Sequence, residues 1–201
     1  MSILAILKGL VRKASPASTI QADINDTDTY HLSEEFCRQV EFFPKENFIL
    51  VTRTALEIDD QAKRSEDDYG WTECYERSEI AITTLSKDIP VMEMSQFLLQ
   101  NRFSTFSKVT TNYLFRVIEC ENVRVFKKRS IVLCFEVVNG KVNNIWHNTP
   151  PDKSDNNLYK QFLLNFSAKY PFFLSDENNC TIVDISKPEA IDRYFLIEEE
   201  E

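Results

Sequence analysis

Glycine is nearly missing from this chain. Only three of its 201 residues are glycine, and Gly9, Gly70 and Gly140 stand far apart. No Gly-rich loop can therefore cradle a phosphate, and no dinucleotide fingerprint is possible. Histidine is scarcer still, with His31 and His147 alone, and no GxSxG elbow marks a serine nucleophile. The five cysteines (Cys37, Cys74, Cys120, Cys134, Cys180) are odd in number and form no CxxC pair. That spacing supports neither a secreted disulfide framework nor a paired zinc site, and a reducing, cytoplasmic compartment fits it best.

Positive charge is the minority sign. Lys and Arg number 23 against 32 Asp and Glu, for a net charge of −9. A non-specific nucleic-acid binder needs a net basic face to displace counterions from phosphates, so that class is disfavoured. A basic protein partner fits instead, because an acidic surface speeds its encounter and rejects other acidic surfaces.

Long apolar runs are lacking too. The N-terminal stretch, Met1–Ala14, is apolar but interrupted at Lys8. It is too short to span a bilayer and wrongly ordered for a signal peptide, because its basic residues fall within or after the apolar part. Ile3, Ile6, Leu7, Leu10 and Val11 share one helical face, with Lys8 and Arg12 off it. The segment is expected to be an amphipathic helix that closes the core or lies on a partner or membrane surface.

What the chain does have is phenylalanine, 15 residues of it, within a 43% hydrophobic composition. A chain of this mass buries about 70% of its unfolded surface and requires no disulfide or metal staple. Residues 15–30 are polar and read as a linker, 31–197 as a single α+β domain, and 198–201 as an acidic tail.

Within the domain, Ser33 can cap a helix in which Phe36, Val40 and Phe43 recur at helical spacing and which Pro44 ends. Asn47–Ile58 and Trp71–Thr84 alternate and read as strands around an acidic loop, Asp59–Gly70. A short helix is expected after Pro90, carrying Met94, Phe97 and Leu98. Asn112–Phe126 and Ser130–Val138 read as strands joined across the basic turn Lys127-Lys128-Arg129. Asn139-Gly140 is the type I′ hairpin signal that folds Lys141–Asn148 back onto the preceding strand. Pro150-Pro151 should end the sheet, apart from a late strand at Cys180–Ile185. Ser154 or Asp155 can cap a helix striped by Leu158, Phe162 and Phe166, and Ser186-x-x-Glu189 opens a last helix to about Phe195. Consecutive strands imply a mainly antiparallel sheet of five to six strands flanked by N- and C-terminal helices.

Four groups of residues invite a functional reading. His147 could meet Cys134 or Cys120 as a nucleophile pair, with Asn148 or Asp152 orienting the ring. Asp23-Ile-Asn25-Asp26-Thr27-Asp28 with Glu34 has calcium-loop spacing but places Asp28 where the sharp turn needs glycine, so a polar linker is preferred. Arg124, Lys127, Lys128 and Arg129 could grip a phosphate or an acidic patch, although such hairpin tips usually solubilise and protect strand edges.

The largest signal is acidic. From Glu57 to Glu79 nine acids face three bases, which supplies six of the nine net negative charges. Their spacing fits no nuclease-type metal site, so neither a metal nor another cofactor is expected. Interface hot spots mix aromatics with charges. Asp59, Asp60, Glu66, Asp67, Asp68, Tyr69, Trp71, Glu73, Tyr75 and Glu76 are therefore the expected partner-binding set.

The expectation is a small acidic cytosolic binding module. Its profile of size, charge and α+β make-up is that of immunity proteins, which occlude the active cleft of a basic toxin or effector. A secretion chaperone-like escort is a variant of that reading. A hydrolase using a Cys/His147 pair or a carboxylate-bound metal is the alternative from another class.

Overall fold

A computed structural model describes residues 28–33, 39–67, 70–71, 82–113, 116–149, 151–177 and 180–200. The expected helix at residues 1–14 and most of the polar linker lie outside them.

The fold is α+β, built on a seven-stranded antiparallel sheet in the order β12-β11-β2-β10-β9-β8-β5. Its centre is β2 (Val40–Pro44), β8 (Val123–Lys128), β9 (Ile131–Val138) and β10 (Lys141–Thr149). β11 (Phe172–Asp176) and β12 (Thr181–Val183) extend one side, and the short β5 (Ser104–Thr105) closes the other. A second, three-stranded sheet of β1 (Thr29–Leu32), β6 (Lys108–Tyr113) and β7 (Arg116–Glu119) packs on the large one, with β1 parallel to β6. A two-stranded ladder pairs β3 (Glu66–Asp67) with β4 (Gly70–Trp71). The helices are α1 (Phe48–Ser65), α2 (Val91–Gln100), α3 (Asn156–Lys169) and α4 (Pro188–Glu200).

Alternation along the central strands sorts side chains onto two faces. Phe42, Leu174 and Ile145 point to one face and meet Phe97 of α2, Phe162 and Phe166 of α3, and Ile191 of α4. Nine of the phenylalanines gather in this core, with Phe42 and Phe166 rings 5.0 Å apart. The opposite face is shared. Cys134 and Trp146 meet Leu32 and Val109 of the small sheet, while Phe43 and Phe173 meet Val51 of α1.

Glycine scarcity shows in the turns. Asp88, Arg102, Arg129, Asn139 and Cys180 all take positive φ, a region that costs a non-glycine residue strain. Asn139 at 52° and Gly140 at 77° form the hairpin turn expected between β9 and β10.

Several local expectations are corrected. Val40–Pro44 is a strand, not the end of a helix, because both of its faces are buried at the centre of the sheet. Asn47–Ile58 is not a strand: a 3-10 turn over Lys45–Asn47 leads into α1, which takes in most of the expected acidic loop through Ser65. Helical period wins because Phe48, Val51 and Thr54 then fall on one side against the sheet. At its entry Asn47 donates to the Ile82 carbonyl at 2.6 Å and accepts from its N–H at 3.1 Å. The end of the expected second strand is a bend and a 3-10 turn at Thr84–Lys87, and residues 72–81 lie outside the described ones.

The expected Asn112–Phe126 strand divides into the end of β6, β7 and most of β8, which serve two different sheets. The sheet also does not end at the prolines, since β11 inserts between β2 and β12. Strand β1 takes up Thr29 and Tyr30 from the expected linker, and α4 continues through Glu200 beyond the expected stop.

Candidate functional site

Helix α1 lies over β2, β11 and β12 with one side buried and the other open. Its inner side carries Val51 and Thr54, and Phe48 meets Phe173 edge-on at 5.2 Å. Its outer side carries Ile49, Arg53, Leu56, Glu57 and Asp60 at helical spacing. Ile49 is 82% exposed and Leu56 64%, two turns apart on this outer face. Arg53 Nε lies 3.6 Å from Glu57 Oε1, with both side chains in solvent. Such a pair adds little stability, and its base-before-acid order is the weaker of the two.

Of the nine acids from Glu57 to Glu79, three, Glu57, Asp59 and Asp60, stand in the helix α1. Asp59 and Asp60 belong to α1, while Glu66, Asp67 and Trp71 belong to the small ladder that follows. Lys63 and Arg64 belong to the same helix. Asp68, Tyr69, Glu73, Tyr75 and Glu76 lie outside the described residues. Periodicity at 3.6 over residues 48–60 was the signal that would have found the Ile49–Leu56 face, but the β-branched and aromatic content of the run masked it.

The nucleophile pairing does not form. Trp146 pairs with Cys134 and His147 with Leu133 across the β9–β10 ladder. Cys134 and Cys120 therefore pack with Trp146 against the small sheet, whereas His147 points to the other face, toward Phe42 and Tyr159. Asn148 does not orient the ring; it donates to the Tyr30 hydroxyl at 2.9 Å on the opposite side. His147 hydrogen-bonds the Tyr159 hydroxyl through Nε2, and among the described residues its Nδ1 has no partner. Burial holds its pKa down at about 3, so the ring is neutral.

Three of the four basic residues, Arg124, Lys128 and Arg129, are engaged within the fold. Lys128 donates to the Asn101 carbonyl at 2.8 Å and sits over the Phe103 ring. Burial, together with Arg102 and Arg129 nearby, lowers its pKa. Arg129 donates to Asp155 at 3.2 Å, and Arg124 to the Glu121 carbonyl at 2.8 Å. Asp155 also accepts from the Ser130 hydroxyl at 2.7 Å and the Ser130 N–H at 3.1 Å. These bonds, with Arg129 adding to them, hold the Asp155 carboxyl below its usual pKa.

In the calcium-like stretch, Asp28 is the described residue. Its carboxylate accepts from the Ser107 N–H at 3.2 Å and helps seat β1 on β6. Among the described residues no group of three or more His, Cys, Asp or Glu is arranged to hold a metal ion. Among them, too, no helix is long and apolar enough to cross a membrane. No family model, curated protein or solved structure matches this chain.

Proposed function

We propose that this protein is a small acidic binding module that occupies and inhibits a basic protein partner, in the manner of an immunity protein facing an intracellular toxin. The observation that supports this reading is the outer face of α1. Ile49 and Leu56 stand in water on a helix whose exposed side also carries Glu57 and Asp60. Large aliphatic groups in solvent gain nothing for the isolated fold, while burying each against a partner is worth about 1.5–3 kcal/mol. Carboxylates beside them steer a basic partner into place and disfavour acidic ones. The ladder of Glu66–Asp67 with Gly70–Trp71 follows in the chain, and the sequence there adds acidic and aromatic residues.

In this reading the two aliphatic side chains form the apolar centre of the contact and the carboxylates its charged rim. Occlusion is steric: the partner's basic cleft closes over α1 and is lost to its own substrate. The reading is tested by passing native cell extract over the immobilised full chain and eluting in steps of salt. A stoichiometric basic protein held at low salt and released at high salt is the expected result. An extract from which nothing is retained at any salt contradicts it.

A further inference from the structure

The peptide unit joining Asn139 to Gly140 stands at the tip of the β9–β10 hairpin with both residues exposed. Among the described residues, the Asn139 side-chain amide, the Asn139 carbonyl and the Gly140 N–H have no hydrogen-bond partner. The chain on its far side is anchored. The Gly140 carbonyl accepts from the Val91 N–H at 3.1 Å, and the Val142 N–H donates to the Ile89 carbonyl at 2.9 Å. A Pro90–Lys141 bridge and the Lys141–Asp88 ion pair complete the attachment of the hairpin to the entry of α2.

This one unheld plane can therefore turn while the hairpin stays docked. Its rotation carries the turn from type I′ toward type II′, in which the first central residue keeps a positive φ and its ψ moves to about −120°. Asn139 already has φ 52°. At that ψ the Gly140 nitrogen swings into line with the Asn139 Cβ, within reach of the side-chain carbon Cγ. Gly140 reverses its own φ without penalty, and among the described residues no atom stands within 4 Å of where a Cβ would be.

We propose that Asn139 is a site of self-modification in the folded chain, converting to aspartate and isoaspartate through a cyclic imide with Gly140. The Gly140 nitrogen gives its proton to solvent base and attacks Cγ of Asn139. The new C–N bond closes a five-membered succinimide, and ammonia leaves. Water then opens either carbonyl of the ring. One opening gives aspartate, and the other gives isoaspartate, with the main chain routed through the side chain. Overall one water enters and one ammonia departs, with nothing oxidised or reduced.

The fold singles out this asparagine. Asn-Gly occurs once in the chain. Asn122, Asn143 and Asn144 have their amides tied to Glu136, and Asn148 donates to Tyr30. The product matters to the fold as well. Isoaspartate adds a methylene to the main chain of a tight turn, which displaces the Gly140 carbonyl from the Val91 N–H at the first residue of α2. Either product adds a negative charge close in sequence to Lys141, which already pairs with Asp88. The hairpin's hold on α2 is thereby loosened.

Peptide mapping by mass spectrometry on the full chain, aged at neutral pH in heavy-oxygen water, tests the proposal. Conversion is expected at Asn139 ahead of every other asparagine, with both products present and the heavy oxygen incorporated. The native rate should lie within ~100-fold of the rate in urea, because a strained turn slows the reaction by no more than that. Gly140→Ala should slow conversion at least ~10-fold, about 1.4 kcal/mol of barrier, by crowding the attacking nitrogen. Asn139→Gln should abolish it at this position. Amide exchange at Val91 should be faster in the aged chain than in the fresh one. An Asn139 that stays intact, or that converts no faster than Asn143 or Asn144, overturns the proposal. So does a native rate more than ~100-fold below that in urea, which assigns the reaction to the unfolded chain. Unchanged exchange at Val91 after conversion contradicts the effect on α2.

Discussion

The Tyr159 hydroxyl meets Nε2 of His147 inside the main core, with the two rings 4.7 Å apart and nearly perpendicular. This bond ties α3 to the central strand β10, and both side chains are buried. Because burial lowers the histidine pKa from 6.5 to about 3, the unfolded chain takes up a proton between those values that the folded chain refuses. Stability associated with His147 is therefore complete above pH 6.5 and is lost progressively as pH falls toward 3. The loss is about 1.4 kcal/mol per pH unit, or about 2 kcal/mol by pH 5. Urea unfolding at pH 7 and pH 5 should show a smaller drop for His147→Gln than for wild type. Equal drops would rule out this histidine as the source.

Asp155 holds the β8–β9 turn to the start of α3 through Ser130 and Arg129. Arg129 sits at φ 55°, and these bonds help retain a conformation that it would otherwise avoid. Asp155→Ala should lower the thermal midpoint clearly more than Asp152→Ala. The stabilisation from this depressed carboxyl is present at neutral pH and disappears as acid protonates it, below the usual carboxylate range. A scan of thermal midpoints for the two variants checks both statements, and indistinguishable midpoints would contradict them.

Gly140 occupies φ 77° in the β9–β10 turn. Among the described residues no atom lies within 4 Å of where a Cβ would stand, so the cost of Gly140→Ala is conformational and not steric. It should destabilise the protein by about 1–2 kcal/mol, read from the urea midpoint. A midpoint equal to or above that of wild type would show that the turn relaxes freely.

Ile49 and Val51 are neighbours on α1 with opposite fates, one in water and one against Phe43 and Phe173. Ile49→Ser with Leu56→Ser should therefore leave stability within about 0.5 kcal/mol per substitution. Val51→Ala should cost more, through the cavity that it leaves. Chemical denaturation orders the two variants, and a costlier outer-face pair would mean that those side chains are buried in solution.

The α+β class, the Asn139-Gly140 hairpin and helices α2 and α3 were legible because local signals and tertiary burial agree there. Phe162 and Phe166 fall on the buried stripe that their spacing implies. The exchanged assignments at 40–44 and 48–58 have a common cause. Phe42 and Phe43 are each buried, on opposite faces of the sheet, so β2 shows no polar alternation to separate it from a helix. In α1 the exposed Ile49 and Leu56 fill in an alternating pattern that the buried positions alone do not make. The missed strand β11 is likewise buried throughout. The acidic candidate surface was legible as charge, but its helical presentation was not, because the aliphatic residues that complete it read as strand.

The most direct test of the α1 surface is salt-stepped capture from native extract with three full-length proteins. These are the wild type, Glu57→Lys with Asp60→Lys, and a control reversal at Glu119 and Glu121 on the small-sheet side. The account predicts that one basic protein is retained by the wild type and the control and is lost, or reduced at least ~10-fold, by the α1 variant. Equal retention of that protein by all three would contradict the assignment of the binding surface to α1.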